Sequence, residues 1–213
     1  MATAKEILDV AYQEYNNLKE FLLTKVFPLR KEYEASRGND FDCEDGMKCF
    51  DVVLQYSLLQ IAIKDGKLLE EEVDFIKNVT NNDLIIELIR AAGNEGFTWD
   101  NLLEVPINEI DSFLDYAEKA VFEVAEDFIK SFTLYDCYEA NIDYLKVFSN
   151  SCCAFAYAIM CADGQDLNQE KEGKCLLFAV QILPQPYLLY YQISKSYICL
   201  RYPKISPTLL LYL

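Results

Sequence analysis

Histidine is absent from this chain of 213 residues. Its absence excludes Ser-His-Asp and Cys-His nucleophile arrangements, the HExxH metalloprotease helix, and zinc or haem held by histidine. The remaining carboxylates, lysines, tyrosines and cysteines show no catalytic spacing. A carboxylate-based metalloenzyme is the alternative, and it would need several acids that converge in one pocket. The sequence therefore predicts a protein that is not an enzyme.

Paired cysteines are also missing, because none of the eight cysteines forms a CxxC motif. Most of them lie in apolar helical context, where a free cysteine packs as a small hydrophobic residue. We therefore expect reduced and mostly buried thiols. The alternatives are a redox sensor at Cys152 and Cys153, or a thiolate metal site.

Long apolar runs and leader sequences are not found either. No uninterrupted stretch of about 18 apolar residues predicts a membrane span. The first residues lack the basic region and the apolar region that together form a signal peptide. We therefore expect a cytoplasmic protein that is not integral to a membrane.

Basic residues are scarce, with 19 against 35 acidic residues and a net charge of −16. Nucleic-acid affinity depends on basic side chains that neutralise phosphates, so the charge argues against a nucleic-acid partner. It favours cations or basic protein surfaces. No acidic residue follows Glu172, and four prolines lie in the remainder of the chain. The C-terminal region is therefore a different kind of sequence.

Apolar residues recur at helical spacing along most of the chain, which predicts an all-α fold. We expect a compact bundle of about seven or eight helices. Pro28 should kink or break the first helix near Lys25, because proline removes an internal hydrogen bond. The predicted helices cover residues 5–33, 49–63, 70–79, 83–92, 108–130, 138–161 and 168–183.

The domain boundaries follow from these helices and from the C-terminal composition. We expect one helical domain over residues 1–183, with halves at about 1–105 and 106–183. Residues 184–213 form a tail rich in proline, leucine and tyrosine. Two hypotheses account for the tail. It is an extended arm that covers an apolar groove, or it follows a loss of the natural reading frame near Gly173.

A run of acidic residues precedes the predicted core helix and invites comparison with a calcium-binding EF-hand. The EF-hand loop needs glycine at its sixth position and glutamate at its twelfth. Counting from Asp40 places Gly46 seventh and Asp51 twelfth. The mismatch favours acidic capping of the helix that follows.

An internal repeat places Asp65 and Asp163 ninety-eight residues apart, each followed by glycine. In both copies an apolar helical run ends at Asp-Gly, and a glutamate, Glu72 or Glu170, stands seven residues after the aspartate. Glycine can take the left-handed conformation that ends a helix, and acidic side chains favour the start of the next helix. The pattern predicts a helix, a tight turn and a helix in each half.

The two segments resemble the tellurite-resistance TerB-like family over about residues 45–80 and 145–180. That family is an all-helical fold of two related halves, in which an apolar helix ends in Ala-Asp-Gly before a hydrophobic residue, a capping Ser or Asn, and Glu. Lys64 and Leu69 depart from this signature, as does one additional residue before Leu167. The resemblance implies a cytoplasmic, non-enzymatic domain with a role in stress responses.

The resemblance also implies metal binding by acidic residues and action with membrane-bound partners. It assigns Asp65 with Glu72, and Asp163 with Glu170, as ligands. Such carboxylates could converge on a hard divalent cation, and calcium or magnesium fits oxygen ligands best. The alternative is that both pairs serve only as helix-end charges and turn hydrogen bonds. The chain would then be a helical protein-interaction module with no metal site, and a protein partner is expected in either case.

Overall fold

The computed structural model confirms the all-α class, because the regular structure of the residues that it describes is entirely helical. No helix within this part of the chain combines the length and the apolar character needed to cross a membrane. The predicted tail, and most of the predicted second repeat, lie outside the described residues. The described residues are 4–63, 66–91, 95–138, 151, 154, 155, 158, 159, 161 and 162.

The helices follow one another with short connections. Their bounds are α1 at Ala4–Phe21, a π-helical turn at Leu22–Val26, α2 at Phe27–Ser36, α3 at Cys43–Ala62, α4 at Glu70–Thr80, α5 at Leu84–Ala91, a 3-10 turn at Leu102–Glu104, and α6 at Ile107–Tyr138.

The predicted interruption near Lys25 takes the form of a π-helical turn and not of a break. Pro28 lies in the first turn of α2, where its missing N–H is tolerated. Just before it, the amide of Phe27 donates to the carbonyl of Leu22, five residues back. Both of these side chains are fully buried. The helical backbone therefore continues through Pro28, and the side chains of Leu22 and Phe27 remain buried in the core.

The acidic segment caps α3, as predicted, but α3 begins six residues before the predicted start at residue 49. The carboxylate of Asp42 accepts hydrogen bonds from the amides of Glu44 at 2.7 Å and Asp45 at 3.1 Å. These bonds lower the pKa of Asp42. Glu44 and Asp45 follow this cap and lie in the first turn of α3. There their negative charges interact favourably with the helix dipole.

The long helix α3 lies at the centre of the fold, in contact with α2, α4, α5 and α6. Apolar residues of the predicted second repeat, Phe155, Ala158 and Ile159, are buried in the same hydrophobic core. The largest fully buried side chains are Leu22, Phe27, Phe50, Leu58, Leu59, Phe75, Ile76, Ile85, Ile86, Ile89 and Phe155.

The short turn before α6 is held by reciprocal hydrogen bonds between Thr98 and Asn101. The Asn101 side-chain oxygen accepts from the amide of Thr98 at 2.8 Å, and the amide of Asn101 donates to the Thr98 hydroxyl at 3.2 Å. Helix α6 then starts directly after Pro106 and continues eight residues beyond the predicted end at residue 130.

Candidate functional site

The structure describes one of the four predicted metal ligands. Asp65, Asp163 and Glu170 lie outside the described residues. Glu72, in the first turn of α4, accepts a hydrogen bond from the amide of Leu69 at 2.9 Å. Leu69 has no side-chain acceptor to complete a reciprocal cap. The predicted capping role of Glu72 is therefore confirmed, and its role as a ligand stays a prediction.

The Asp-Gly turn has the backbone geometry that the sequence predicts. Gly66 has φ of +85°, in the left-handed region, and its amide donates to the carbonyl of Ile63 at 3.0 Å. Within the described ranges, no three Cys, Asp or Glu side chains lie close enough together to hold a metal ion.

A buried polar network lies where α3 meets the turn between α4 and α5. Its centre is Gln55, which is fully buried. The Gln55 side-chain nitrogen donates to the Thr80 hydroxyl at 2.6 Å and to the Asn82 carbonyl at 2.8 Å. Its oxygen accepts from the amide of Ile85 at 3.0 Å. One side chain therefore connects α3 to the end of α4 and to the start of α5.

Asp51 lies one turn before Gln55 and extends the network to α1. Its carboxylate accepts a hydrogen bond from the Tyr15 hydroxyl at 2.7 Å and another from the side-chain nitrogen of Asn82 at 2.8 Å. Only 6% of Asp51 is exposed to solvent. The Tyr15 ring stacks on Phe50, with 6.0 Å between ring centroids. The carboxylate is therefore held in place from both sides.

The turn that carries Asn82 is shaped by two asparagines. Asn81 has φ of 55°, a left-handed conformation that asparagine tolerates better than most residues, and it ends α4. The Asn82 side-chain oxygen accepts from the amide of Leu84 at 3.2 Å and so caps α5. The same side chain therefore starts a helix with its oxygen and holds Asp51 with its nitrogen.

Burial of Asp51 raises its pKa to about 6. The hydrogen bond from Tyr15, the charge of Lys19 and the hydrogen bond from Asn82 act in the opposite direction without cancelling the effect of burial. Burial and the adjacent carboxylate also raise the pKa of Tyr15. A carboxyl group that titrates near neutral pH beside a cleft is a frequent property of functional sites.

Asp51 is one of the residues that line a cleft of about 480 Å³ between α1 and the end of α4. This volume is in the range of about 300 to 1,000 Å³ that is typical of small-molecule sites. We call it the α1/α4 cleft. It is lined by Tyr12, Tyr15, Asn16, Lys19, Asp51, Asn78, Val79, Thr80, Asn81 and Asn82.

The sequence alone does not predict this site, because its polar residues are far apart along the chain. The available signal was the pair Asp51 and Gln55, which stand four residues apart inside the apolar segment 49–63. Residues at this spacing lie on one face of a helix. Two polar side chains on a core helix need hydrogen-bond partners, since burying a polar group without a hydrogen bond costs folding free energy.

A second feature is an acidic stripe on α6, formed by Asp111, Asp115 and Glu118. These residues follow the i, i+4, i+7 spacing of one helix face, and all three are exposed. After burial, the charges of Glu118 and Asp115 are the main causes that raise the pKa of Tyr56 on α3. Tyr116, on the neighbouring face of α6, is 70% exposed. The stripe and Tyr116 are named the α6 face below.

Comparisons of the chain with protein-family models, with curated proteins and with solved structures found no match.

Proposed function

We propose that the chain is a non-enzymatic helical module that binds a basic protein partner through the α6 face. The observation that carries this proposal is the acidic stripe beside an aromatic side chain that is largely exposed. Helix α6 contains eight acidic and two basic residues, a net charge of −6. Complementary charge steers association and sets specificity, and exposed tyrosine is enriched at protein interfaces.

A triple variant tests the α6 face. We expect Asp111→Asn, Asp115→Asn and Glu118→Gln together to weaken binding of a basic amphipathic Lys/Leu peptide about five- to tenfold, because three exposed charge pairs of about 0.3 to 0.5 kcal/mol each are lost. The measurement is fluorescence anisotropy of the labelled peptide at two salt concentrations. The salt dependence of binding should also decrease.

The control is Glu20→Gln, Glu32→Gln and Glu87→Gln together, which changes the net charge equally at exposed sites on other helices. We expect nearly unchanged peptide binding in this variant. Equal weakening in both triple variants would mean that the peptide senses only overall charge, and the α6 face would be rejected as a binding site.

The proposal includes the finer architecture of a TerB-like fold, with two related halves and seven or eight helices. It is supported by the unit of α3, Gly66 and α4, which has the helix, turn and helix expected of the first half. Residues of the second copy, such as Ile159, join the core. The stress-related role, the cytoplasmic location and the membrane-bound partner follow from the resemblance.

Calcium or magnesium binding by Asp65, Glu72, Asp163 and Glu170 stays a prediction of the resemblance. The hydrogen bond from Leu69 to Glu72 supports the alternative module without a metal site. We expect Glu72→Gln to keep the melting temperature, because glutamine retains an oxygen that accepts from this amide. Glu72→Ala should lose about 0.5 to 1 kcal/mol of unfolding free energy. Thermal unfolding with and without calcium measures both effects.

Calorimetric titration of calcium and magnesium into metal-stripped protein separates the two interpretations. The module without a metal site predicts no binding heat from the wild-type chain. Heat that is present in the wild type and lost in the Asp65→Asn, Asp163→Asn double variant would place an ion at the repeated turns. In that case Glu72→Gln should also weaken ion binding while leaving the helix cap intact.

A further inference from the structure

The α1/α4 cleft carries an excess of negative charge. Asp51 contributes a carboxylate to its lining. Tyr12, which lines the cleft, has its pKa raised by burial and then by the charges of Asp74 and Asp9, on α4 and α1. These exposed acids therefore lie near the cleft on both sides. Of the residues that line the cleft, Lys19 is the basic one.

Lys19 places a cation at this position. Its ammonium nitrogen lies 5.9 Å from the centroid of the Tyr15 ring, within the range of a cation–π contact. Its charge lowers the pKa of Asp51. Lysine has a flexible stem of four carbons, so the ammonium group can move aside when another cation arrives.

The lining also provides hydrogen-bond acceptors. The side chains of Asn16, Asn78 and Asn81 are exposed and carry amide oxygens. Tyr15 and Asn82 each donate one hydrogen bond to Asp51, and a carboxylate has about four acceptor positions. A primary ammonium group has three donors and matches such a lining. A quaternary ammonium group would instead require an aromatic cage.

We propose that the α1/α4 cleft binds a small aliphatic amine, of the diamine or polyamine class, whose primary ammonium group displaces that of Lys19 beside Asp51. An anion is disfavoured by the buried carboxylate. A divalent metal ion is disfavoured because, within the described residues, no three Cys, Asp or Glu side chains lie close enough together to hold one. The proposal does not depend on the α6 face, and the two tests can fail separately.

The test is titration of 1,4-diaminobutane and spermidine into the full chain at pH 7.5, with binding measured by calorimetry and by NMR. Butan-1-ol and glutarate are the neutral and anionic controls. We expect saturable binding of the amines only. Asp51→Asn should weaken it by about tenfold or more, because a charge-assisted hydrogen bond is lost. Lys19→Gln should strengthen it, because the competing internal cation is removed.

Asp45→Asn is the matched control, since it removes one negative charge at an exposed position of the same helix. It should leave amine binding unchanged. Circular dichroism and melting temperature show whether Asp51→Asn is folded. If that variant were unfolded, Lys19→Gln would still test the proposal, because tighter amine binding is expected there and not in Lys48→Gln, which removes an exposed positive charge elsewhere on α3.

Lowering the pH from 7.5 to 5 should weaken amine binding to the wild type, because Asp51 gains a proton. Among the described residues, the titratable groups that act on Asp51 are Tyr15, through a hydrogen bond, and Lys19, through its charge. Asp9 and Asp74 remain in Asp51→Asn, whose binding should change little with pH.

Four results would overturn the proposal. The amines could show no saturable binding at millimolar concentration, glutarate could bind more tightly than the amines, or calcium could displace the amines. The fourth result is an equal loss of amine binding in Asp51→Asn and Asp45→Asn.

Discussion

Replacement of Gln55 by leucine is expected to lower the free energy of unfolding by about 3 to 5 kcal/mol, although the side-chain volume is nearly conserved. The glutamine is fully buried and makes three hydrogen bonds, with Thr80, Asn82 and Ile85. Leucine can make none of them. The penalty comes from the partners, because a buried donor or acceptor that loses its hydrogen bond costs about 1 to 3 kcal/mol. Urea denaturation followed by far-UV circular dichroism measures the change.

Gln60→Leu is the matched control for this variant. Gln60 is on the same helix, is half-buried, and donates to the hydroxyl of Tyr56 at 2.8 Å. Since this contact lies within one helix, we expect its loss to cost less than about 1 kcal/mol. Similar losses in the two variants would mean that Gln55 does not hold the junction of α3, α4 and α5.

Local chemistry made much of the fold predictable. Asp42 caps α3, Asn82 caps α5, and Gly66 adopts a left-handed turn. Each of these caps and turns involves residues only a few positions apart, so both partners can be recognised together in a short stretch of the sequence. The spacing of apolar residues likewise predicted helices, because a helix that packs on a core must repeat its apolar side about every 3.6 residues.

The form of the interruption at Pro28 was less predictable. The rule for proline states that a hydrogen bond is lost, but it does not state how the carbonyls upstream are satisfied. The structure uses a π-helical turn, in which Phe27 bonds to Leu22, and the Thr24 hydroxyl donates to the Glu20 carbonyl at 2.8 Å. The formation of a π-helical turn here depends on how these residues pack in the surrounding core.

The candidate site was not predictable, because it exists only after packing. Tyr15, Asp51 and Asn82 come from different elements, and their separation along the chain gives no regular pattern. The polar pair on α3 showed that partners were needed but not which residues supply them. For the predicted ion site, three of the four ligands lie outside the described residues, so ion binding there stays a prediction from the sequence.

Asp51→Asn is expected to raise the free energy of unfolding by about 2 to 3 kcal/mol above pH 7 and to leave it nearly unchanged near pH 3. Asp51 has a pKa of about 6 in the folded chain and an ordinary value of 3.8. The folded state therefore holds the proton more tightly than the unfolded state. Stability is greatest below the unfolded pKa, falls as the pH rises through the interval between the two values, and levels off above the folded pKa. Asparagine removes that loss, because it has no charge to desolvate.

The amide also suits the partners of the carboxylate. Its oxygen can accept from the side-chain nitrogen of Asn82, and its nitrogen can donate to the hydroxyl oxygen of Tyr15. Urea denaturation between pH 4 and pH 8 measures the effect, and Asp45→Asn should follow the wild type. A lower stability of Asp51→Asn at neutral pH would show that the carboxylate contributes more through its hydrogen bonds than its burial costs. The expected gain would instead mean that the fold does not need this charge, whereas the amine proposed to bind in the α1/α4 cleft does, because an uncharged amide cannot form an ion pair with it.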